Sequence, residues 1–505
     1  MRKPYFMGVD IGTYESKGIL MDADATIRAY GACPHPLETP MPGYAEHDAE
    51  STWWGDLCRL SNRLISESGI SPEDIASVGV SAIGPCCLPV DAALKPLRKA
   101  ILYGIDCRAA QEITYLENKI GKQEVLRRFG TPLTTQSAGA KVLWIQNNEP
   151  AVFRNTDKFI TGSTYLVAKL TGSYTIDRYT AATWVPLYNV AKGDWNSDLL
   201  DICRRDQLAE CRWTHEIAGV VTEHAARETG LAPGTPVTAG TADAGAEAFS
   251  IGVTVPGDMM LMYGSSIFII HVVEKFTTDE RLWAGPYLFP GTYSVTAGMS
   301  CAGTLTRWFL DNLAKDIREQ ADLDGLNAYG ELAKLAEGIA PGSDGLTVLP
   351  YFSGERTPIN DPDACGVIFG LNLLHTRAHI YKAFLESIGY GINQHFEIFT
   401  ERQMSTRKVM AVGGAIQNTA WLQIVSDITG KKQRLVQTET GAAYGNALIA
   451  ALGVGHFKDA QAATAHIREK SAILPDSRTH QAYGPYVKRY ARLYAATKEL
   501  MHEKI

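Results

Sequence analysis

Tyr5-Phe6-Met7-Gly8-Val9-Asp10-Ile11-Gly12-Thr13 stands at the head of the chain. A short apolar run reaches an acid, then a glycine, then a hydroxyl, and Lys17-Gly18-Ile19-Leu20-Met21-Asp22 reads as a second strand after the turn. Gly12 lets the backbone approach a ligand oxygen closely. The turn N–H groups and the Thr13 hydroxyl can donate to an anion such as phosphate. Asp10 stands where a carboxylate could hold magnesium, because that ion prefers carboxylate plus phosphate oxygens. The same residues also suit an ordinary hairpin with Asp-x-Gly as turn formers.

The device occurs again about half a chain later. Asp258-Met259-Met260-Leu261-Met262-Tyr263-Gly264-Ser265-Ser266-Ile267-Phe268-Ile269-Ile270 reads as strand, Gly-Ser-Ser turn, strand. Two hydroxyl-bearing glycine turns, Gly12-Thr13 and Gly264-Ser265, could grip a polyphosphate from opposite sides of a cleft. That pairing is more specific than either turn alone.

The chain has 505 residues, 45% hydrophobic and 20% charged, which allows two domains with a core each. A net charge of −7 without long Lys/Arg runs gives no reason to expect nucleic acid as a partner. Nine cysteines at no repeated spacing argue against a disulfide framework. Cys86-Cys87 reads as a pair of small buried hydrophobes. The apolar run from Met259 to Val273 is broken by Gly264-Ser265-Ser266 and is too short to cross a bilayer. No leader reads ahead of the first strand, so the expectation is a cytoplasmic protein without a membrane partner.

Strands mixed with helices give an α/β class. A third strand is expected at Ala25 to Tyr30, and a helix capped by Asp48 is expected to reach about Ser66. Buried strands are expected at Ile75 to Ser81 and Leu88 to Asp91, a helix from Asp106 to Ile120, and mostly helix from Pro132 to Ala168. Thr235 to Asp243 reads as a strand ending at a glycine turn and an acid. Ile380, Phe384, Ile388, Ile392 and Phe396 recur every fourth residue, one face of a long helix starting near Thr376. Val409 to Val412 reads as a strand into a glycine turn, and Asn418 to Thr429 as a helix stopped by Gly430. The halves divide near 250, giving domains 1–249 and 250–505.

No G-x-x-x-x-G-K-[ST], H-E-x-x-H or paired C-x-x-C occurs, which removes P-loop and zinc chemistry. Asp243 lies among Gly240, Thr241, Ala242, Ala244, Gly245 and Ala246. An acid at a strand's C-terminal end, surrounded by small residues, sits where α/β folds place ligands. As a general base it could take a proton from a hydroxyl attacking a γ-phosphate; as a helix N-cap it would serve structure alone. Gly413-Gly414-Ala415 and Asn418 suit a flat adenine ring lying on backbone, or a tight strand–helix turn.

These segments together resemble the FGGY carbohydrate kinases over nearly the full length. The matching motifs are Gly8-Val9-Asp10-Ile11-Gly12-Thr13, Asp106-Cys107-Arg108, Gly240-Thr241-Ala242-Asp243, Tyr263-Gly264-Ser265-Ser266, Gly413-Gly414-Ala415 and Glu439-x-Gly441-Ala442-x-x-Gly445. Tyr351-Phe352-Ser353-Gly354-Glu355-Arg356-Thr357-Pro358-Ile359-Asn360-Asp361-Pro362 is similar to a loop of the xylulose kinase branch. The resemblance implies two actin-like (ribonuclease H-like) ATPase domains with ATP and sugar in a central cleft. It implies Asp243 as catalytic base and Asp10 as a magnesium holder. Gly12, Thr13, Lys17, Gly264, Ser265 and Gly303 would face the phosphates, and Gly413, Gly414, Ala415 and Asn418 would border adenosine. The sugar would meet Gly84, Pro85, Asp106, Asp243 and Arg108, although Arg108 suits a structural ion pair equally. Glu355 and Arg356 are expected to stabilise their loop. The implied activity is ATP-dependent phosphorylation of D-xylulose, or of another ketose, polyol or sugar acid. A non-kinase ATPase of the same fold is the other class. A homodimer is allowed.

One segment departs from the family. Where xylulose kinases carry Gln-Met-His-Gly, this chain has Ile83-Gly84-Pro85-Cys86. Pro85 has no side-chain donor in place of the histidine. Losing a buried hydrogen bond to substrate costs about 1–3 kcal/mol, so the sugar is recognised differently or is a different sugar.

Overall fold

The computed structural model describes residues 4–199, 201–437 and 441–503. By internal contacts the chain forms two units. The first comprises Met1–Val255, Glu274–Ser294 and Thr438–Ile467. The second comprises Pro256–Val273, Val295–Gln437 and Arg468–Ile505. A single cut at 249/250 therefore separates Glu274–Ser294 and Thr438–Ile467 from the unit they pack with. Among the described residues no helix is long and apolar enough to cross a membrane.

The first unit is built on strands β1 (Tyr5–Ile11), β2 (Glu15–Asp22), β3 (Ile27–Pro34), β4 (Ile75–Ala82), β5 (Ile217–Val220), β6 (Pro236–Thr238) and β7 (Thr241–Ala242). They lie in the order β5-β6-β4-β1-β2-β3, with β7 also pairing β4. β1 runs parallel to β4 on one side and antiparallel to β2 on the other, and it is buried almost throughout because the faces of the sheet are covered. β3 at the edge keeps an alternating, half-exposed pattern. It starts at Ile27, later than the sequence pattern places it, because Ala25 sits in the preceding turn at φ 59°.

The Ala442–Gly453 helix lies directly on this sheet, buried from Ala442 to Ala451. Gly8 and Gly79 make that approach possible. A Cβ on Gly8 would stand 2.0 Å from the Ala443 carbonyl oxygen, and one on Gly79 2.2 Å from that of Asn446. Only a residue without a side chain fits at either place.

Other elements follow the sequence pattern with local corrections. Asp48 caps the chain by accepting from the Ser51 N–H, ahead of a wide turn (Ala49–Trp54) that continues as the Gly55–Ser68 helix. The helix expected from Asp106 begins at Ala110, because Asp106 is drawn into a turn with its N–H on the Tyr103 carbonyl. The stretch read as helical to Ala168 is interrupted by Lys158–Ile160, which pairs with Leu88–Val90. The strand read as Thr235 to Asp243 breaks at Gly240, φ 78°, so its last part pairs with β4 alone and Asp243 opens the Asp243–Ser250 helix.

In the second unit, β8 (Asp258–Tyr263), β9 (Ile267–Val273), β10 (Lys408–Val412), β11 (Gln433–Val436) and β12 (Glu469–Ile473) run in the order β9-β8-β10-β11-β12. The long helix runs Arg377–Glu401 with Thr376 in its capping box. It is buried on more than the expected face, from Tyr381 through Ile392. Gly430 stops the Thr419–Thr429 helix in the left-handed conformation.

Candidate active site

The first unit brings Asp10 and Asp243 to the same end of one sheet. β1, β4 and β7 pair side by side, with Asp10 opposite Ser81 and Ser81 opposite Thr241. Two strand spacings separate the outer backbones, roughly 10 Å. On the antiparallel side Asp10 stands opposite Lys17, which pairs with Glu15 at 3.2 Å.

Asp10 is buried and accepts from Ser81 Oγ at 2.6 Å. Burial raises its carboxyl to about 6, against the opposing pull of the Ser81 hydrogen bond and of Lys17. Asn446 Nδ2 donates to the same Ser81 Oγ at 2.7 Å and to the Val9 carbonyl at 2.8 Å. The Ala442–Gly453 helix thus orients Asp10 through Ser81. Neither Asn446 nor Ser81 is given a role by the sequence, since an apolar strand's last hydroxyl gives no signal of its own.

Asp243 is the first residue of its helix; its Oδ1 accepts the Ala244 N–H at 2.8 Å. The N-cap position belongs to Ala242, so capping does not account for Asp243. Burial, then the neighbouring Asp10 carboxylate, pushes its carboxyl up to about 8. The turn ahead of it is held by buried Asp177, which accepts from Thr241 Oγ1 at 2.7 Å and Thr214 Oγ1 at 2.9 Å. The Ala242 N–H donates to Thr180 Oγ1 at 2.9 Å. Asp177 was also missed, since a lone Asp after a short strand reads as a turn.

Gly84 lies beside Ala242, the residue before this acid: a Cβ on it would stand 3.1 Å from the Ala242 Cβ. Pro85 and Cys86 are buried. Tyr103 approaches from the Ala100–Cys107 segment, its hydroxyl 3.3 Å from Thr13 Oγ1. Burial raises the Tyr103 hydroxyl, the Thr13 hydrogen bond opposes this, and the Asp243 carboxylate adds to the rise. Its backbone carbonyl accepts from buried Lys141 at 2.9 Å. Burial lowers that ammonium to about 8, against the pull of Asp106.

Asp106 and Arg108 hold each other. Asp106 accepts from Arg108 Nη2 at 2.7 Å, Arg108 Nε at 2.9 Å and the Ala45 N–H at 2.7 Å. Arg108 also reaches Glu46 at 2.8 Å and lies over the Tyr44 ring at 4.0 Å. With side chains 0% and 1% exposed, both are engaged with protein, and the ion pair is the arrangement the structure shows for Arg108.

In the second unit, Gly264 and Ser265 form the tip between β8 and β9, with Ser265 exposed. Their carbonyls are held by the start of the Gly303–Leu313 helix: the Gly303 N–H donates to Gly264 O at 3.0 Å and the Ala302 N–H to Ser265 O at 2.9 Å. Gly303 therefore spends its N–H on the hairpin. Glu355 accepts the Ser300 N–H at 2.6 Å, and Arg356 Nη2 donates to the Met299 carbonyl at 2.6 Å. That is the loop-stabilising role expected of the pair. Gly413 sits at φ 97°, Gly414 and Ala415 open a short turn (Gly414–Gln417), and a Cβ on Gly414 would meet open space. Asn418 Oδ1 caps the next helix by accepting the Trp421 N–H at 3.0 Å. Glu439 lies outside the described residues.

Comparison with known proteins adds to this geometry. Residues 5–250 match the N-terminal domain, and residues 259–454 the C-terminal domain, of the FGGY family of carbohydrate kinases. The chain is 28% identical to a xylulose kinase of Bacillus subtilis strain 168, over 98% of both chains. It is also 28% identical to a gluconokinase of the same organism, over 84% of this chain and 82% of that protein. The crystal structure of a xylulose kinase from Rhodospirillum rubrum superposes with a TM-score of 0.92 at 30% identity, covering 99% of this chain and 100% of that one.

Proposed function

The chain belongs to the FGGY family of carbohydrate kinases, and on that premise we propose that it phosphorylates a small ketose, D-xylulose first, with Asp243 as general base. Its two α/β units carry the actin-like (ribonuclease H-like) ATPase fold, and ATP is the co-substrate the family brings. The observation that carries the reading is the placement of Asp243 at a helix start on the strand ends that also carry Asp10.

Asp243 takes the proton of the attacking sugar hydroxyl. A carboxyl pushed up to about 8 is a stronger base than an ordinary aspartate and is matched to operating pH. Thr13 and the Gly12 turn face the phosphates in one unit, and Gly264 and Ser265 supply the second hairpin. Lys17, opposite Asp10, offsets the negative charge that builds up on the transferred group. Gly413 to Ala415 border adenosine, with Asn418 fixing the turn behind them.

Magnesium fits the donors present. Burial raises both carboxyls, and the Asp10 carboxylate raises Asp243 further; a divalent cation shared with phosphate oxygens relieves that repulsion. Asp10 would hold it, oriented by Ser81 and Asn446. Bound there, magnesium would neutralise phosphate charge during transfer.

Xylulose as the sugar is supported by the xylulose kinases among the relatives; the gluconokinase keeps a sugar acid as the second reading. Pro85 cannot donate, and the Tyr103 hydroxyl, beside Thr13 and Asp243, is the group we assign in its place. Asp106 and Arg108 brace that wall from behind.

The test is ADP release with magnesium-ATP against D-xylulose, L-xylulose, both ribuloses, gluconate, glycerol and erythritol. Preference for D-xylulose supports the reading. Preference for another compound keeps the kinase and replaces the sugar, and ADP release at one rate with or without every sugar overturns the kinase.

A further inference from the structure

Three consecutive carbonyls at the β1–β2 turn are held from one side by two histidines. The His35 backbone N–H donates to the Tyr14 carbonyl at 2.9 Å. His35 Nε2 meets the Gly12 carbonyl at 3.1 Å, and His47 Nε2 meets the Thr13 carbonyl at 3.1 Å. Both rings are buried, and their centroids lie 5.1 Å apart, edge to face.

The partners fix where the hydrogens are. A carbonyl oxygen only accepts, so each Nε2 carries a hydrogen. Trp53 Nε1 donates to His47 Nδ1 at 3.1 Å, which makes His47 a neutral ring. Burial agrees, pushing that imidazole down to about 4. His35 Nδ1 faces Asp56 Oδ2 at 2.8 Å. Burial pushes the Asp56 carboxyl up, but hydrogen bonds from His35, Ser16 and Arg59 outweigh it and hold the group below the ordinary value. The His35 ring is thus held between the Asp56 carboxylate on Nδ1 and the Gly12 carbonyl on Nε2.

A planar trans peptide points its N–H opposite to its C=O. Holding the Gly12 and Thr13 carbonyls from behind therefore turns the Thr13 and Tyr14 N–H groups toward the other side. We propose that His35 and His47 are positioning residues that aim these two N–H groups at the terminal phosphates of the bound nucleotide. The inference rests on the reading of this turn as a phosphate loop. It assigns the cost of ordering the turn to folding, so that nucleotide binding does not have to meet it.

The experiment compares His47→Phe, which keeps an aromatic ring but has no donor, with His47→Gln, whose amide can donate to Thr13 and accept from Trp53. Titration calorimetry with MgADP, without sugar, reads the nucleotide directly; steady-state kinetics read the KM of each substrate. His47→Phe is expected to weaken MgADP and raise the ATP KM by about tenfold or more, with the sugar KM nearly unchanged. His47→Gln is expected to restore most of the loss. A folded His47→Phe with wild-type MgADP affinity, or a His47→Gln as weak as His47→Phe, overturns the proposal. Should His47→Phe not fold, His35→Asn, which keeps the backbone bond to Tyr14 and loses the one to Gly12, is held to the same MgADP criterion. A wild-type protein that binds MgADP but phosphorylates no sugar overturns the kinase reading and leaves the histidine result standing.

Discussion

Ser81 Oγ donates to Asp10 Oδ1 at 2.6 Å while accepting from Asn446 Nδ2 at 2.7 Å. One hydroxyl thus links a helix contributed by residues 442–453 to the acid at the end of the first strand. Ser81→Ala removes a buried bond to a charged group, worth about 1.5–3 kcal/mol. It also takes away the leading influence that lowers the Asp10 carboxyl against burial. The expected result is a fall in kcat/KM for MgATP of about tenfold or more, with the fold kept. Unchanged kinetics at saturating and limiting magnesium would remove Ser81 from the site.

Asp243→Asn tests the base and the cost of burying it. General-base catalysis contributes about 10²–10⁴-fold, so turnover should fall by that order while MgADP still binds. Stability should move the other way. The folded carboxyl is raised from 3.8 to about 8, so wild-type stability is full below the unfolded value and is lost as pH rises through the folded one. Asparagine does not titrate. The melting temperature of the variant should therefore exceed that of the wild type by a margin that opens between about pH 4 and pH 8. A margin independent of pH would contradict the raised carboxyl.

Tyr103→Phe separates sugar from nucleotide. It deletes the hydroxyl 3.3 Å from Thr13 Oγ1 and keeps the ring. The sugar KM should rise by about fivefold to a hundredfold, the range of one lost hydrogen bond, and MgADP affinity should hold. An equal loss for both substrates would place Tyr103 on the phosphate turn alone.

Gly8→Ala tests the seating of the helix on the sheet. A Cβ 2.0 Å from the Ala443 carbonyl oxygen forces backbone to move, and overpacking of this kind costs about 1–3 kcal/mol or more. Urea unfolding of the first unit should shift to a lower midpoint. An unshifted midpoint would mean that the helix yields at no cost.

The glycine turns named as candidates were legible because they are short and local. Gly12-Thr13, Gly264-Ser265 and Gly413-Gly414-Ala415 announce themselves by glycine at the end of an apolar run, and the structure places each at a strand end. Long helices were legible from spacing, as at Arg377–Glu401. Boundaries failed where a group outside the local pattern intervened, as when the distant Ala45 N–H engaged the Asp106 carboxylate. Asp177, Ser81, Tyr103 and the two histidines were illegible for the same reason: each matters through a partner far along the chain.

The sequence by itself determined the α/β class, the two glycine hairpins and the acids Asp10 and Asp243, because strand patterning and turn chemistry depend on neighbours a few residues apart. Only the tertiary structure decided which groups surround those acids. Asp10 acquires Ser81 and Asn446, and the carbonyls of the first turn acquire His35 and His47. The physical reason is that burial raises a carboxyl and an unpaired buried carbonyl is costly. Which atoms meet those demands depends on packing between segments up to hundreds of residues apart, and no local spacing encodes it.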